Sequence, residues 1–166
     1  GENYVQELLD KQQQLPADIR WHFIGHLQSN KVKYIAPFVS LIHGVDSLKL
    51  LMEINKQGVK CGRVIPVLLQ LHIASEETKF GLSFEEAETI LKSPEVQAMK
   101  NISITGLMGM ASLTEDQSKI RDEFRILRNY RDRLRTPNSE LRTLSMGMTS
   151  DYKIALEEGS NMVRIG

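Results

Sequence analysis

Apolar and polar positions along this chain switch between a helical and an extended period. Val5, Leu8 and Leu9 recur on one face between residues 2 and 14, and Pro16 follows, so the spacing predicts a helix over 2–14. "RWHFIG" (20–25) reads as a short strand, 26–36 carries Leu27, Val32 and Ile35 on a helical stripe, and "SLIHGVD" (40–46) reads as the next strand. Ser47 can cap a helix whose Leu48, Leu51 and Ile54 share a face, with Gly58 as its stop. "RVIPVLLQLHI" (63–73) is apolar almost without a break, the mark of a strand covered on both faces of a parallel sheet. Ser83 and Glu86 form a capping box at the head of a helix over 84–92. Next come a strand over 102–110 and a long helix with Ile120, Phe124, Leu127 and Leu134 inward. A strand over 141–148, a helix over 151–158 and a strand over 162–166 close the pattern.

Strand and helix alternating with short loops predict an α/β domain, a parallel sheet covered by helices, either open or closed as a barrel. Six strands in 166 residues give about 28 residues per unit, and eight units in a barrel need roughly 200 to 250. The chain is thus an open six-stranded sheet or a barrel with two units outside the sequence. An open sheet directs attention to nucleotide motifs, but neither G-x-G-x-x-G after an early strand nor G-x-x-x-x-G-K-[ST] occurs.

Charge narrows the partners. Lys plus Arg (21) balance Asp plus Glu (21), so no net positive field draws the chain to nucleic acid or anionic membranes. No apolar run approaches the roughly 18 residues that span a bilayer, and no basic-then-apolar leader is present. The single cysteine, Cys61, reads as a small half-buried residue near a turn; it excludes an internal disulfide and fits a reducing, cytoplasmic setting. The first residue is Gly rather than Met, which leaves a preceding segment open.

Six segments carry a more specific signal: "GENYVQEL" (1–8), "WHFIGHLQSNK" (21–31), "ETKFGL" (77–82), "TGLMGM" (105–110), "LSMGMTSDYKIALEEG" (144–159) and "VRIG" (163–166). In this order they closely resemble the pyridoxal phosphate homeostasis proteins, single-domain barrels that bind pyridoxal 5′-phosphate (PLP) and are similar to the amino-terminal domain of alanine racemase. The resemblance covers residues 1–166 as one PLP-binding domain and implies a TIM-like (β/α)8 barrel. By comparison with that family, two strands, the first bearing the Schiff-base lysine, precede "GENY", and a last helix follows "VRIG". The expectation is therefore a sequence with about six of the eight βα units, incomplete at both ends and without the catalytic lysine.

The resemblance also assigns a site. Barrel sites lie at the carboxyl ends of the strands. There Ser145, Met146 and Gly147, ahead of a helix starting at Ser150-Asp151, would cradle the cofactor phosphate on amides; a strand end with a plain N-cap explains the same residues without a ligand. Strand alternation sends Arg164 to the face opposite Val163 and Ile165; it is either an edge-strand arginine at the surface or a guanidinium in a filled interior, which needs a partner. The resemblance supplies one, the pyridine nitrogen of PLP, and an always-protonated arginine there disfavours a pyridinium. Asn3 is placed by resemblance beside the cofactor ring, although a helix N-cap explains it equally. Gly166 joins the cofactor-binding positions. Lys79 matches a lysine-glycine pair of the family and is expected as a second amine or a phosphate contact, against the simpler reading of a solvated loop lysine. His22 and His26 lack a third ligand at metal spacing, and His43 and His72 read as core or rim. Met108, Met110, Met146 and Met148 read as adaptable packing at strand ends.

Three functions compete. The first is a PLP carrier or buffer without substrate turnover, acting as a monomer or weak dimer, with PLP-dependent apoenzymes as recipients. The second is an amino-acid racemase. Racemisation needs an acid-base group on each face of the substrate carbon, and in alanine racemases a separate domain, for which this chain has no room, supplies one. The third is a cofactor-free module binding a phosphometabolite or a protein.

Overall fold

The computed structural model describes residues 1–77, 80–137 and 139–166. Among these residues six strands form one parallel sheet in chain order: β1 (His22–Phe23), β2 (Leu41–Val45), β3 (Ile65–Leu71), β4 (Ile102–Gly109), β5 (Thr143–Met148) and β6 (Met162–Arg164). The helices are α1 (Val5–Gln14), α2 (Val32–Ile35), α3 (Leu48–Cys61), α4 (Phe84–Lys92), α5 (Pro94–Gln97), α6 (Gln117–Leu134) and α7 (Tyr152–Glu157). Most of the alternation expected from the sequence is present.

The sheet curls. β2 and β5 are separated by two strands, and neighbouring strands lie about 4.8 Å apart. In a flat sheet their side chains would stand about 14 Å apart, yet His43 Nδ1 and Ser145 Oγ are 2.9 Å from each other. The arrangement is an α/β half-barrel.

Strand alternation sorts residues onto the two faces. On the helix side Val67, Leu69, Leu107, Leu144 and Met146 meet Leu51, Ile54, Phe124 and Leu127 in one continuous buried cluster. On the concave side a smaller cluster of Leu41, Leu68 and Met108, with Met110 and Met162 against it, makes an apolar floor.

Several local signals act as expected. Ser47 accepts from Leu50 N (3.1 Å) and caps α3, and both halves of the Ser83–Glu86 capping box form (2.8 and 3.1 Å). Others differ, each for a reason. Glu2 is extended rather than helical, because its N–H donates to His22 O (3.0 Å) and its carbonyl accepts from Ile24 N (2.9 Å), pairing it parallel to Phe23. Gly58 does not stop α3: it lies inside the helix, where an added Cβ would sit 2.6 Å from Asn101 O, and Gly62 in the left-handed region (φ 64°) ends the helix. Residues 26–36 hold only a 3-10 turn (Ser29–Lys31) and the single turn of α2, since no side chain caps either start. The short α5, capped by Ser93 and opened by Pro94, was not anticipated.

Candidate functional site

The carboxyl ends of the strands form a mouth, and the positions singled out in the sequence lie around it in two groups. The first group is buried on the concave face. Arg164 is 5% exposed and Ser145 fully buried. Arg164 Nη1 donates to Ser145 Oγ (2.6 Å) and Nη2 to Gly109 O (3.1 Å). The guanidinium therefore has protein partners of its own on β5 and β4, as a buried cation must. Ser145 Oγ also meets His43 Nδ1 (2.9 Å), and His43 Nε2 meets His22 Nδ1 (3.1 Å). A polar line thus crosses the bowl from β1 through β2 and β5 to β6.

Its electrostatics follow from burial. Burial, then the charges of His22 and Arg164, push His43 from 6.5 down to about 3, so its imidazole is neutral. Burial first, with the nearby charge of Arg20, lowers His22. Burial lowers Arg164 to about 10, opposed by Asp151, and the guanidinium keeps its proton at neutral pH.

The second group rings the mouth. An open cavity of about 860 Å³ there is walled by Asn3, Gly25, His26, Gln70, Met108 and Met110 among others. Asn3 is exposed on that wall; the cap of α1 is Tyr4, without a capping side-chain bond, so Asn3 is not explained as an N-cap. Gly25 is required beside it, because a Cβ there would run into the Asn3 carbonyl. Ser145 and Arg164 do not line this cavity.

The turn after β5 differs in detail from a bare anion cradle. Gly147 takes φ 105°, with an added Cβ only 2.7 Å from Ala155 Cβ, so glycine there serves the packing of α7 as well as the turn. Met146 turns its side chain into the helix-side core, and its carbonyl accepts from Ser160 Oγ (2.7 Å), leaving only its backbone near the mouth. Met148 N donates to the Asp151 carboxylate (2.7 Å). Gly166 is tied to Thr149, its N–H donating to Oγ1 and its carbonyl accepting from it (both 3.2 Å). Lys79 lies outside the described residues.

The sequence reading passed over His22 and His43 as participants. The available signal was Leu41 and His43 on one face of a strand otherwise facing apolar neighbours; the pairing with Ser145 spans 102 residues and has no local trace. Among the described residues no group of three or more His, Cys, Asp or Glu is arranged for a metal, and no helix is long and apolar enough to cross a membrane.

Known proteins share both sequence and fold. The family model for the alanine racemase N-terminal domain matches residues 1–166. The pyridoxal phosphate homeostasis protein of Aquifex aeolicus (strain VF5) is 42% identical over 168 residues, spanning 100% of this chain and 73% of its own. PipY of Synechococcus elongatus PCC7942 superimposes at a TM-score of 0.91 with 32% identity in the form without PLP, over 100% of this chain and 78% of PipY. With PLP bound, the same protein gives 0.86 and 31%, over 100% and 78%. Alanine racemase of Bartonella henselae, with covalently bound pyridoxal phosphate, matches at 0.71 and 13% identity over 99% of this chain and 44% of its own, a likeness of fold alone. A continuous match at these identities makes the chain a member of the alanine racemase N-terminal domain family and, within it, of the pyridoxal phosphate homeostasis proteins.

Proposed function

We propose that this chain holds PLP at the mouth of its half-barrel and serves intracellular PLP homeostasis, carrying or buffering the cofactor without turning over a substrate. The observation that carries the reading is Arg164, a buried, protonated guanidinium on the concave face at the end of the last strand. Arginine only donates, so the chemistry of this position fits an acceptor such as an unprotonated pyridine nitrogen. The adjoining cavity of about 860 Å³ falls within the few hundred to 1,000 Å³ of small-molecule sites. Asn3 on its wall is assigned to the phenolic oxygen, and Lys31 on the same wall would add positive charge for an anionic group. The backbone of Ser145, Met146, Gly147 and Gly166 is assigned to the phosphate end, where the Gly166 N–H would exchange Thr149 Oγ1 for the anion, and Lys79 remains assigned as a second amine or a phosphate contact.

PLP supplies an aldehyde and an electron-withdrawing ring when bound. A ring nitrogen opposite a guanidinium stays unprotonated and withdraws electrons weakly, which favours holding over turnover. The protein's own groups agree: a general acid or base works best with a pKa near the operating pH, and His43 at about 3 and Arg164 at about 10 lie far to either side. The six strands are read as an arc of a TIM-like (β/α)8 barrel, with residues 1–166 one domain of a cytoplasmic monomer or weak dimer. PLP-dependent apoenzymes are the proposed recipients, and the Aquifex relative's name and the PLP-bound PipY structure support the reading.

Equilibrium dialysis against PLP tests it. A hydrogen bond to a charged group contributes about 1.5–3 kcal/mol, so Arg164→Gln is expected to weaken retention roughly 10- to 100-fold with an unchanged circular dichroism spectrum. Chiral analysis after incubation with L-amino acids should show no racemisation. Equal retention by a folded Arg164→Gln protein, or steady racemisation, overturns the proposal.

A further inference from the structure

We propose that Ser145 and His43 are positioning residues for the Arg164 guanidinium, joined with His22 in a one-way relay of hydrogen-bond donors across the bowl. The direction follows from counting protons. Arg164 Nη1 can only donate, so Ser145 Oγ accepts at 2.6 Å. The Ser145 side chain is fully buried, and its other partner is His43 Nδ1 at 2.9 Å. If His43 donated from Nδ1, the hydroxyl would receive two protons and its own would have no acceptor, the penalised state for a buried donor. The hydroxyl therefore donates to His43 Nδ1. A neutral imidazole carries its one proton on the other nitrogen, so His43 Nε2–H donates to His22 Nδ1 (3.1 Å), and His22 carries its proton on Nε2.

The relay explains why a neutral histidine is buried 1% exposed beside a cation: it is the acceptor that turns the serine hydroxyl, and the turned hydroxyl presents its lone pair to Nη1. Gly109 O on β4 holds Nη2 (3.1 Å), so the plane of the guanidinium is fixed by β4 and β5 together. That this plane serves the ring of PLP rests on the function proposed above; the relay itself stands on the geometry.

Protonating His22 must reverse the line. His22 Nδ1 would become a donor, His43 would have to accept on Nε2 and move its proton to Nδ1, and the serine hydroxyl would lose its acceptor. The charged groups facing this line are Arg20 at the His22 end, and Arg164 with Asp151 behind it at the other.

Long-range proton–nitrogen spectra of the histidines and of Arg164, recorded without PLP, test the relay. Both His22 and His43 are expected as Nε2–H tautomers at pH 7.5. Acid titration of His22 should convert His43 to Nδ1–H while it stays uncharged, a response that mere packing would not give. Ser145→Ala should speed rotation of the guanidinium so that its terminal nitrogens average, and Ser145→Thr should keep them distinct. An Nδ1–H His43 at pH 7.5, or an Arg164 unmoved by a folded Ser145→Ala, overturns the proposal, and the first reading needs no variant. PLP added afterwards judges the other claim: an intact relay in a chain that retains no PLP refutes the function and leaves the relay standing.

Discussion

The two faces of this sheet are built on opposite terms. Toward the helices β2 to β5 present apolar side chains to the apolar stripes of α3, α4 and α6, and burial is the main force that holds that side together. Toward the bowl only Leu41, Leu68 and Met108 make a small floor, and beside it His22, His43, Ser145 and Arg164 form a hydrogen-bonded line. Apolar contacts tolerate repacking, whereas a buried polar line is sound only when every member is satisfied. The outer face supplies stability, and the inner face fixes donors and acceptors in direction.

The comparison breaks most sharply at Phe124, fully buried on α6. Phe124→Ala should cost about 3–5 kcal/mol in a urea titration, with the histidine tautomers of the surviving native fraction unchanged. A smaller loss would mean that the helix layer is less essential than its burial implies. The inner face should answer to pH instead. His43 titrates at about 3 when folded and near 6.5 when unfolded, so the unfolded chain takes up the proton first as pH falls. Stability is then unaffected above pH 6.5 and declines below it, by up to about 1.4 kcal/mol per pH unit. Between pH 6.5 and 5 the chain should lose about 1.6 kcal/mol more than a His43→Gln variant; identical slopes would contradict a buried neutral His43.

Smaller effects sharpen the outer side. Ser47→Ala removes the cap of α3 and should cost about 1 kcal/mol at any salt concentration. Glu158 is one of the buried polar groups there, with Gln57, Glu123 and Arg131: Arg121, Arg125 and Arg128, one face of α6, converge on it at 3.0–3.3 Å. Burial opposes its charge, but hydrogen bonds from Arg121 and Arg125 outweigh it and hold the carboxyl below the usual range. Its contribution is present at neutral pH and lost as pH falls through that range. Because the arginines are partly solvated, Glu158→Gln should cost less than about 1 kcal/mol, and less again in 1 M salt.

How much the sequence disclosed follows the same division. The helix side is written in short-range periods: α4 with its capping box, the inward residues of α6 and the apolar run of β3 were all legible. What failed locally was decided by distant partners, as where Glu2 pairs with β1 or Gly58 yields to Asn101. The concave face was legible in part. Alternation set Arg164 on the face opposite Val163 and Ile165 and the resemblance chose the inner one, yet nothing near His43 announced a serine 102 residues away. Only the curl of the sheet brings them together, and curl is a property of the whole chain.

The most direct measurement follows the Arg164 side chain while PLP is titrated into the protein. Saturable shifts of its guanidinium resonances, with those of Ser145 and His43 moving on the same curve and Phe124 on the outer face unmoved, are predicted. Saturable PLP binding that leaves Arg164 unshifted would contradict the account.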